Sequence, residues 1–266
     1  MNVRTNSRLW RVAVVTGVAL LCTLAVAAGL ASLAAAASPI YVRVDGDDVN
    51  CDGTADAAYP GSGTGLSCAV RTVQKGINLV DLGGTVMVGT GVYVEYVNTS
   101  KDMTLMGAGA GSTIIDGGGS DRVVFVSASV DVTISDVTIR NGDVSGYGAG
   151  IYVADGGVLT LTGSTVSDNT ASGAAFDGGG LHLAPGASAV ISNCSFVDNR
   201  VGISARGGGI SNWGNPLTVV GSTFTGNNSG RHGGAIYSGA GSSLTVIEST
   251  FSQNTVTGTI PYGGAI

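Results

Sequence analysis

A chain of 266 residues carrying 45 glycines and only 11% charged residues is not collagen, which needs a strict G-X-Y period, and its 44% hydrophobic content is too high for a disordered tract. The net charge of −6 at pH 7 repels phosphate backbones, so nucleic acid is not an expected partner. Val, Ile and Thr crowd the segments between glycines, which is a β signature.

At the N-terminus, Arg4, Arg8 and Arg11 precede an apolar run from Val12 to Ala37, and Ala35-Ala36-Ala37 before Ser38 supplies the small residues a signal peptidase accepts. Residues 1–37 read as a signal peptide, although the run is also long enough to stay as a membrane anchor. Cys22 follows Leu20-Leu21 rather than a small residue, which disfavours a lipoprotein site. Cleavage would remove three arginines and no acid, taking the charge from −6 to −9. The expected location is secreted or cell-surface, with membrane contact only through this segment if it is uncleaved.

Residues 38–82 read as a polar entry segment followed by a short helix. Asp48-Val49-Asn50-Cys51-Asp52-Gly53 opens like a calcium loop, with Asp48, Asn50, Asp52 and Asp56 as candidate ligands at positions 1, 3, 5 and 9. Position 12 is Tyr59, where the bidentate glutamate should stand, and a solvated acidic loop is the simpler reading. Calcium is therefore the one cofactor the sequence suggests. In an oxidising compartment Cys51 and Cys68 are natural disulfide partners. Val70, Val73, Ile77 and Val80 fall on one helical face that Gly83-Gly84 would end, and such a helix ahead of a β-solenoid reads as its cap.

From residue 83 the pattern is short strands between glycines, beginning with Thr85–Val88, Val92–Val97 and Met103–Met106. A repeat then becomes explicit. Glycine-rich triplets precede Ile151, Leu181, Ile210, Ile236 and Ile266, spaced by 30, 29, 26 and 30 residues. Self-similarity at that period means a solenoid whose coils bury apolar side chains against their neighbours. Within each repeat, Val166, Phe196, Phe224 and Phe251 are each followed three residues later by asparagine: Asn169, Asn199, Asn227 and Asn254. Apolar columns stand five residues before (Leu161, Ile191, Val219, Val246) and seven before (Leu159, Ala189, Leu217, Leu244), the alternation of strands. Two residues before lie Ser164, Cys194, Ser222 and Ser249, which makes Cys194 a buried stand-in for serine. The asparagine column is expected at a turn, bonding coils above and below and tolerating left-handed geometry.

The fold class is thus all-β, a single-stranded parallel β-helix over residues 83–266 with a short N-terminal capping helix, and the last repeat, ending on Ile266, suggests a truncated solenoid. The paired signatures Gly-Gly-Ala-Ile (Gly233–Ile236, Gly263–Ile266) and Phe-x-x-Asn (Phe196/Asn199, Phe224/Asn227, Phe251/Asn254) resemble the repeats of chlamydial polymorphic outer membrane proteins. Those belong to the wider right-handed, pectate-lyase-like β-helix group. Val166 and the all-glycine variants depart from the pattern. The segments Cys68–Gln74 and Gly84–Glu95 look like the entry coil of bacterial surface β-helix proteins. The resemblance implies the right-handed fold across roughly residues 68–266 and says little of activity, since the group spans lyases, hydrolases, esterases and adhesins.

Two rows could carry function. Four residues before each aliphatic stand Tyr147, Asp177, Arg206, His232 and Tyr262. Asp177, Arg206 and His232 could serve a polysaccharide lyase or glycoside hydrolase acting on an acidic glycan, but a lyase needs more carboxylates and a glycosidase a second acid. An exposed charge ladder that discourages strand slippage is the simpler reading. One residue after each aliphatic stand Tyr152, His182, Ser211 and Tyr237, with Trp213 two beyond Ser211. Outward Tyr152, His182 and Tyr237 would suit a carbohydrate-binding face, because sugar C–H faces pack on rings. The favoured expectation is a structural, adhesive or carbohydrate-contacting β-helix whose partner is an extracellular polysaccharide or cell-surface glycan, with no evident catalytic site.

Overall fold

The computed structural model describes residues 38–214, 216–258 and 262–266; the expected signal peptide lies outside them. Between residues 131 and 238 each coil places four short strands in four parallel sheets, whereas the two coils before them, residues 85–99 and 103–126, place three. Following one coil, Ile151–Val153 leads to Val158–Thr162, then Thr165–Ser167, then Thr170–Ala171, and the chain returns at Leu181–Leu183 beside its starting strand. The four sheets contain eight, seven, five and six strands.

Register follows the columns of the sequence. Leu159, Ala189, Leu217 and Leu244 pair in succession, as do Leu161, Ile191, Val219 and Val246, and Ile151, Leu181, Ile210 and Ile236. Alternation sends these side chains inward, where each fully buried Leu, Ile or Val contributes about 1.5–3 kcal/mol. Phe196, Phe224 and Phe251 stack inside the tube with ring centroids 4.9 Å apart.

Polar ladders run beside the apolar ones. Asn169, Asn199 and Asn227 are fully buried, and each donates from Nδ2 to Oδ1 of the asparagine one coil on, at 2.9–3.0 Å. The same amide donates to a backbone carbonyl of the preceding coil, Val166 in the case of Asn199. The left-handed residue of this turn is not the asparagine, as expected from sequence, but its predecessor: Asp168, Asp198, Gly226 and Gln253 all have positive φ, as does Asn141 at the same place one coil earlier, ahead of Gly142. Placing the strain one residue earlier leaves the asparagine extended enough for its amide to enter the core.

The glycine triplets are the tightest points of the coil. A β-carbon on Gly208 would come within 2.5 Å of the Gly234 carbonyl oxygen and 2.6 Å of the Asn228 backbone. Adjacent coils approach there backbone to backbone, and only glycine leaves the room.

The helix spans Val73–Leu79, shorter than its sequence pattern. It starts three residues after Val70, which bridges Val42 instead, and ends at an extended Val80 before Gly83-Gly84 is reached. Thr72 caps it, and Glu95 accepts from the backbone N–H groups of Val73 and Gln74, both at 2.9 Å. Val73 and Ile77 are buried with Val42 and Val86, so the helix packs on the first strands of the tube. The reading of residues 38–67 as a polar entry segment missed a strand: Ile40–Val42 pairs with Val86–Val88 and begins the eight-stranded sheet. Val92–Val97, read as one strand, is two, Gly91–Val94 and Val97–Thr99, in different sheets.

Candidate functional site: an aromatic cleft on the six-stranded sheet

The residue after each inward aliphatic points out of the tube, so successive coils stack these outward side chains. Tyr152 pairs with Phe125 on one side and His182 on the other, and the three rings lie nearly parallel at 5.4 Å spacings. Phe125 was missed in the sequence, although Val124-Phe125-Val126 repeats the pattern of Ile151-Tyr152-Val153. Arg122 lays its guanidinium 5.0 Å from the Tyr152 ring.

The next coil carries Ser211 in this column and interrupts the stack. Its aromatic is Trp213, two residues further along, and the indole tilts 5.3 Å from Tyr237. Arg206 lies against both rings, 5.4 Å from Trp213 and 5.2 Å from Tyr237. Trp213 also donates from Nε1 to Asp177 at 2.9 Å.

The row Tyr147, Asp177, Arg206, His232, Tyr262 runs in register, since the residue after each one donates its backbone N–H to the carbonyl of the next: Gly148 to Asp177, Gly178 to Arg206, Gly207 to His232 and Gly233 to Tyr262. Asp177 is buried, with its other oxygen accepting from the Arg206 backbone N–H at 2.7 Å; the Arg206 guanidinium stands 3.9 Å away. Burial raises the Asp177 carboxyl, against the lowering effect of Trp213 and Arg206. His232 turns elsewhere, packing against Tyr262 at 5.4 Å and Tyr237 at 6.2 Å. Desolvation and then the cations Arg231 and Arg206 lower its pKa.

Between these groups opens a cleft of about 350 Å³ walled by the rings of Tyr147, Tyr152, His182 and Trp213, with Asp177 and Arg206 at one side. Here the sequence expectation needs a correction. His182 is outside the tube but is not exposed: only 5% of its surface is accessible. The turn before Leu181, residues 172–177, carries Phe176, which meets Tyr147 edge-on at 5.2 Å, and Tyr147 leans over the imidazole at 4.7 Å. Tyr152 and Tyr237 remain half-buried.

The acidic loop does not assemble as the calcium spacing suggested. Asp48 accepts from the backbone of Arg71 and Thr72 and from the Thr72 hydroxyl, Asp52 binds Thr54, and Asp56 pairs with Arg43. Asn50 donates to Asp47. The four candidates turn to separate partners, and among the described residues no cluster of three or more His, Cys, Asp or Glu is poised for a metal. Cys51 and Cys68 do form a disulfide, and Cys194 is a buried free thiol. No helix among the described residues is long and apolar enough to cross a membrane.

The model of the family described as "Right handed beta helix region" matches residues 122–264, more than half of the chain. The chain belongs to the right-handed β-helix family. No curated protein matches this β-helix. The matched span holds every residue of the cleft, so the site is built on the repeats themselves and not on the entry segment.

Proposed function

We propose that this β-helix is a secreted or cell-surface protein that contacts carbohydrate through the aromatic cleft on its six-stranded sheet. The single observation that carries the reading is the joining of the rings of Tyr147, Tyr152, His182 and Trp213 to Asp177 and Arg206 in one 350 Å³ depression, with Phe125 continuing the stack of Tyr152 and His182 beside it. Flat rings accept the C–H faces of a sugar, and convergent polar groups fix its hydroxyls. The signal-like residues 1–37 and the repeat signatures resembling chlamydial surface proteins support display outside the cytoplasm.

Retention on a glycan panel is the test. Wild type is expected to bind at least one member, and Trp213→Ala to lose binding tenfold or more, as truncated aromatic anchors do. Silence of the wild type across the panel overturns the reading.

One observation favours a second reading, turnover of an acidic glycan. Asp177 is a buried carboxyl raised above its ordinary value beside Arg206, as a proton donor would need. Against it, both Asp177 oxygens already accept from N–H donors, and His232 packs on tyrosines instead of on Asp177. Release of unsaturated or reducing ends from polygalacturonate, abolished by Arg206→Ala, would establish it.

A further inference from the structure

His182 stands on the wall of the cleft, yet its Nδ1 is buried without a hydrogen-bond partner. Most buried polar side-chain atoms in a folded protein find a partner, and each exception asks for a reason. Two other such atoms occur among the described residues, Nε of Arg206 and Oγ of Ser211. Ser211 does not line the cleft, and the Arg206 guanidinium already has Asp177 beside it. The imidazole is therefore the orphan that a small movement at the cleft could reach.

The covering group is a side chain with a fixed base and a free end. Tyr147 leans over the imidazole at 4.7 Å with 36° between the planes, and Phe176 braces it edge-on at 5.2 Å. Beneath the ring the backbone is pinned. The carbonyls of Tyr147 and Gly148 accept from Nη2 and Nε of Arg122 at 2.8 and 2.9 Å, and the Gly148 N–H donates to the Asp177 carbonyl at 3.1 Å. The ring itself has no such hold: its hydroxyl has no hydrogen-bond partner among the described residues, and Tyr147 is 40% exposed. Tyr93, sealed inside the tube, differs in donating its hydroxyl to the Gly89 carbonyl at 3.0 Å. A pinned backbone under an untethered ring confines motion to the side-chain torsions, which exposed side chains explore fastest.

We propose that Tyr147 is a gate over His182: the ring swings off the imidazole while its backbone stays in place, and the ligand that enters gives Nδ1 the hydrogen-bond partner it lacks. This rests on the cleft being the binding site, and adds to it a closed and an open state with a contact residue hidden in the closed one. The closed state leaves a polar atom unsatisfied, and only the open state lets a ligand satisfy it. That difference is what allows a ligand to shift the balance towards opening.

Diethyl pyrocarbonate, which acylates unprotonated imidazole, reads the gate without a sugar. The chain has two histidines, and half-buried His232 serves as the internal reference. Burial and then Arg122 hold the His182 pKa at about 3, so at pH 7 protonation does not shield the ring. Peptide mass mapping is expected to show wild-type His182 reacting at least tenfold more slowly than His232. Tyr147→Ala should speed His182 at least tenfold and leave His232 within twofold, and Tyr147→Phe should behave as wild type because the hydroxyl holds nothing. In wild type, urea below the unfolding transition should leave the His182 rate flat, since swinging one ring exposes little surface. A rate that climbs with the slope of global unfolding would overturn the gate, as would Tyr147→Ala remaining protected or Tyr147→Phe losing protection. Any glycan retained on the panel should shield His182 of Tyr147→Ala at least fivefold, and a retained glycan that leaves it reactive would overturn the contact. Failure of the reagent measurements leaves the carbohydrate reading standing, and silence of the panel overturns that reading while the gate stands on its own rates.

Discussion

Asn199 and Cys194 sit in the same coil and make opposite predictions. Asn199 is fully buried, donates to Val166 and Asn227, and accepts from the backbone and side chain of Asn169. Alanine there strands donors and acceptors on both neighbouring coils. A loss of about 2–4 kcal/mol is expected, read as a lower urea midpoint at unchanged slope. Cys194 donates to the Ser192 carbonyl as Ser164 does to Thr162 and Ser222 to Val220. Cys194→Ser should therefore change stability by less than about 1 kcal/mol. Burial pushes the thiol up to about 11, so native protein at pH 8 should resist alkylation that the unfolded chain undergoes. His182 supplies a pH dependence. Its pKa falls from 6.5 to about 3 through burial and then Arg122. As pH drops below 6.5 the unfolded chain takes up a proton that the folded one refuses, so stability declines towards pH 3. Asp177 and Glu95, raised by burial, act with the opposite sign and gain stability for the fold on acidification. His182→Phe isolates the difference: its urea midpoint should fall less than that of wild type on acidification from neutral pH, and an equal fall would refute the assignment.

At the scale of elements, the capping helix shows what was legible and what was not. Its existence followed from four apolar residues on one face, but its ends did not, because Val70 is captured by Val42 and Thr72 is fixed by Asp48, both distant in sequence. Gly76 lies mid-helix, where propensity alone favours alanine by about 1 kcal/mol. Here a β-carbon would stand 2.6 Å from the Val42 side chain and 3.0 Å from that of Val86. Gly76→Ala is accordingly expected to destabilise by about 1–3 kcal/mol, measured by thermal melting, despite its better helix propensity. The repeat columns were legible throughout because parallel in-register stacking converts sequence period directly into contact. The turns were less so. A left-handed residue can be Asp, Asn, Gly or Gln here, and the column has no single letter to betray it.

For the molecule as a whole, stability is a sum over coils and the surfaces between them. That makes the backbone contact at each glycine triplet a shared weakness. Gly208→Ala, which would press on Gly234 and Asn228, is expected to cost more than about 3 kcal/mol and to lower the melting temperature even though the side chain added is one methyl. The cleft was only half legible. Register placed Tyr152, His182 and Tyr237 in one column, yet the burial of His182 depends on how residues 172–177 fold back and on which way Tyr147 leans, neither of which a repeat encodes. That turn is the longer detour that one coil takes where the next-but-one, at residues 230–232, takes a short one. The strands cannot vary without breaking register, so individuality on this molecule is confined to such detours. A binding site here has something like a street address: a coil number and a corner. Moving the detour to the same corner of another coil would relocate the pocket along the tube and leave the masonry untouched.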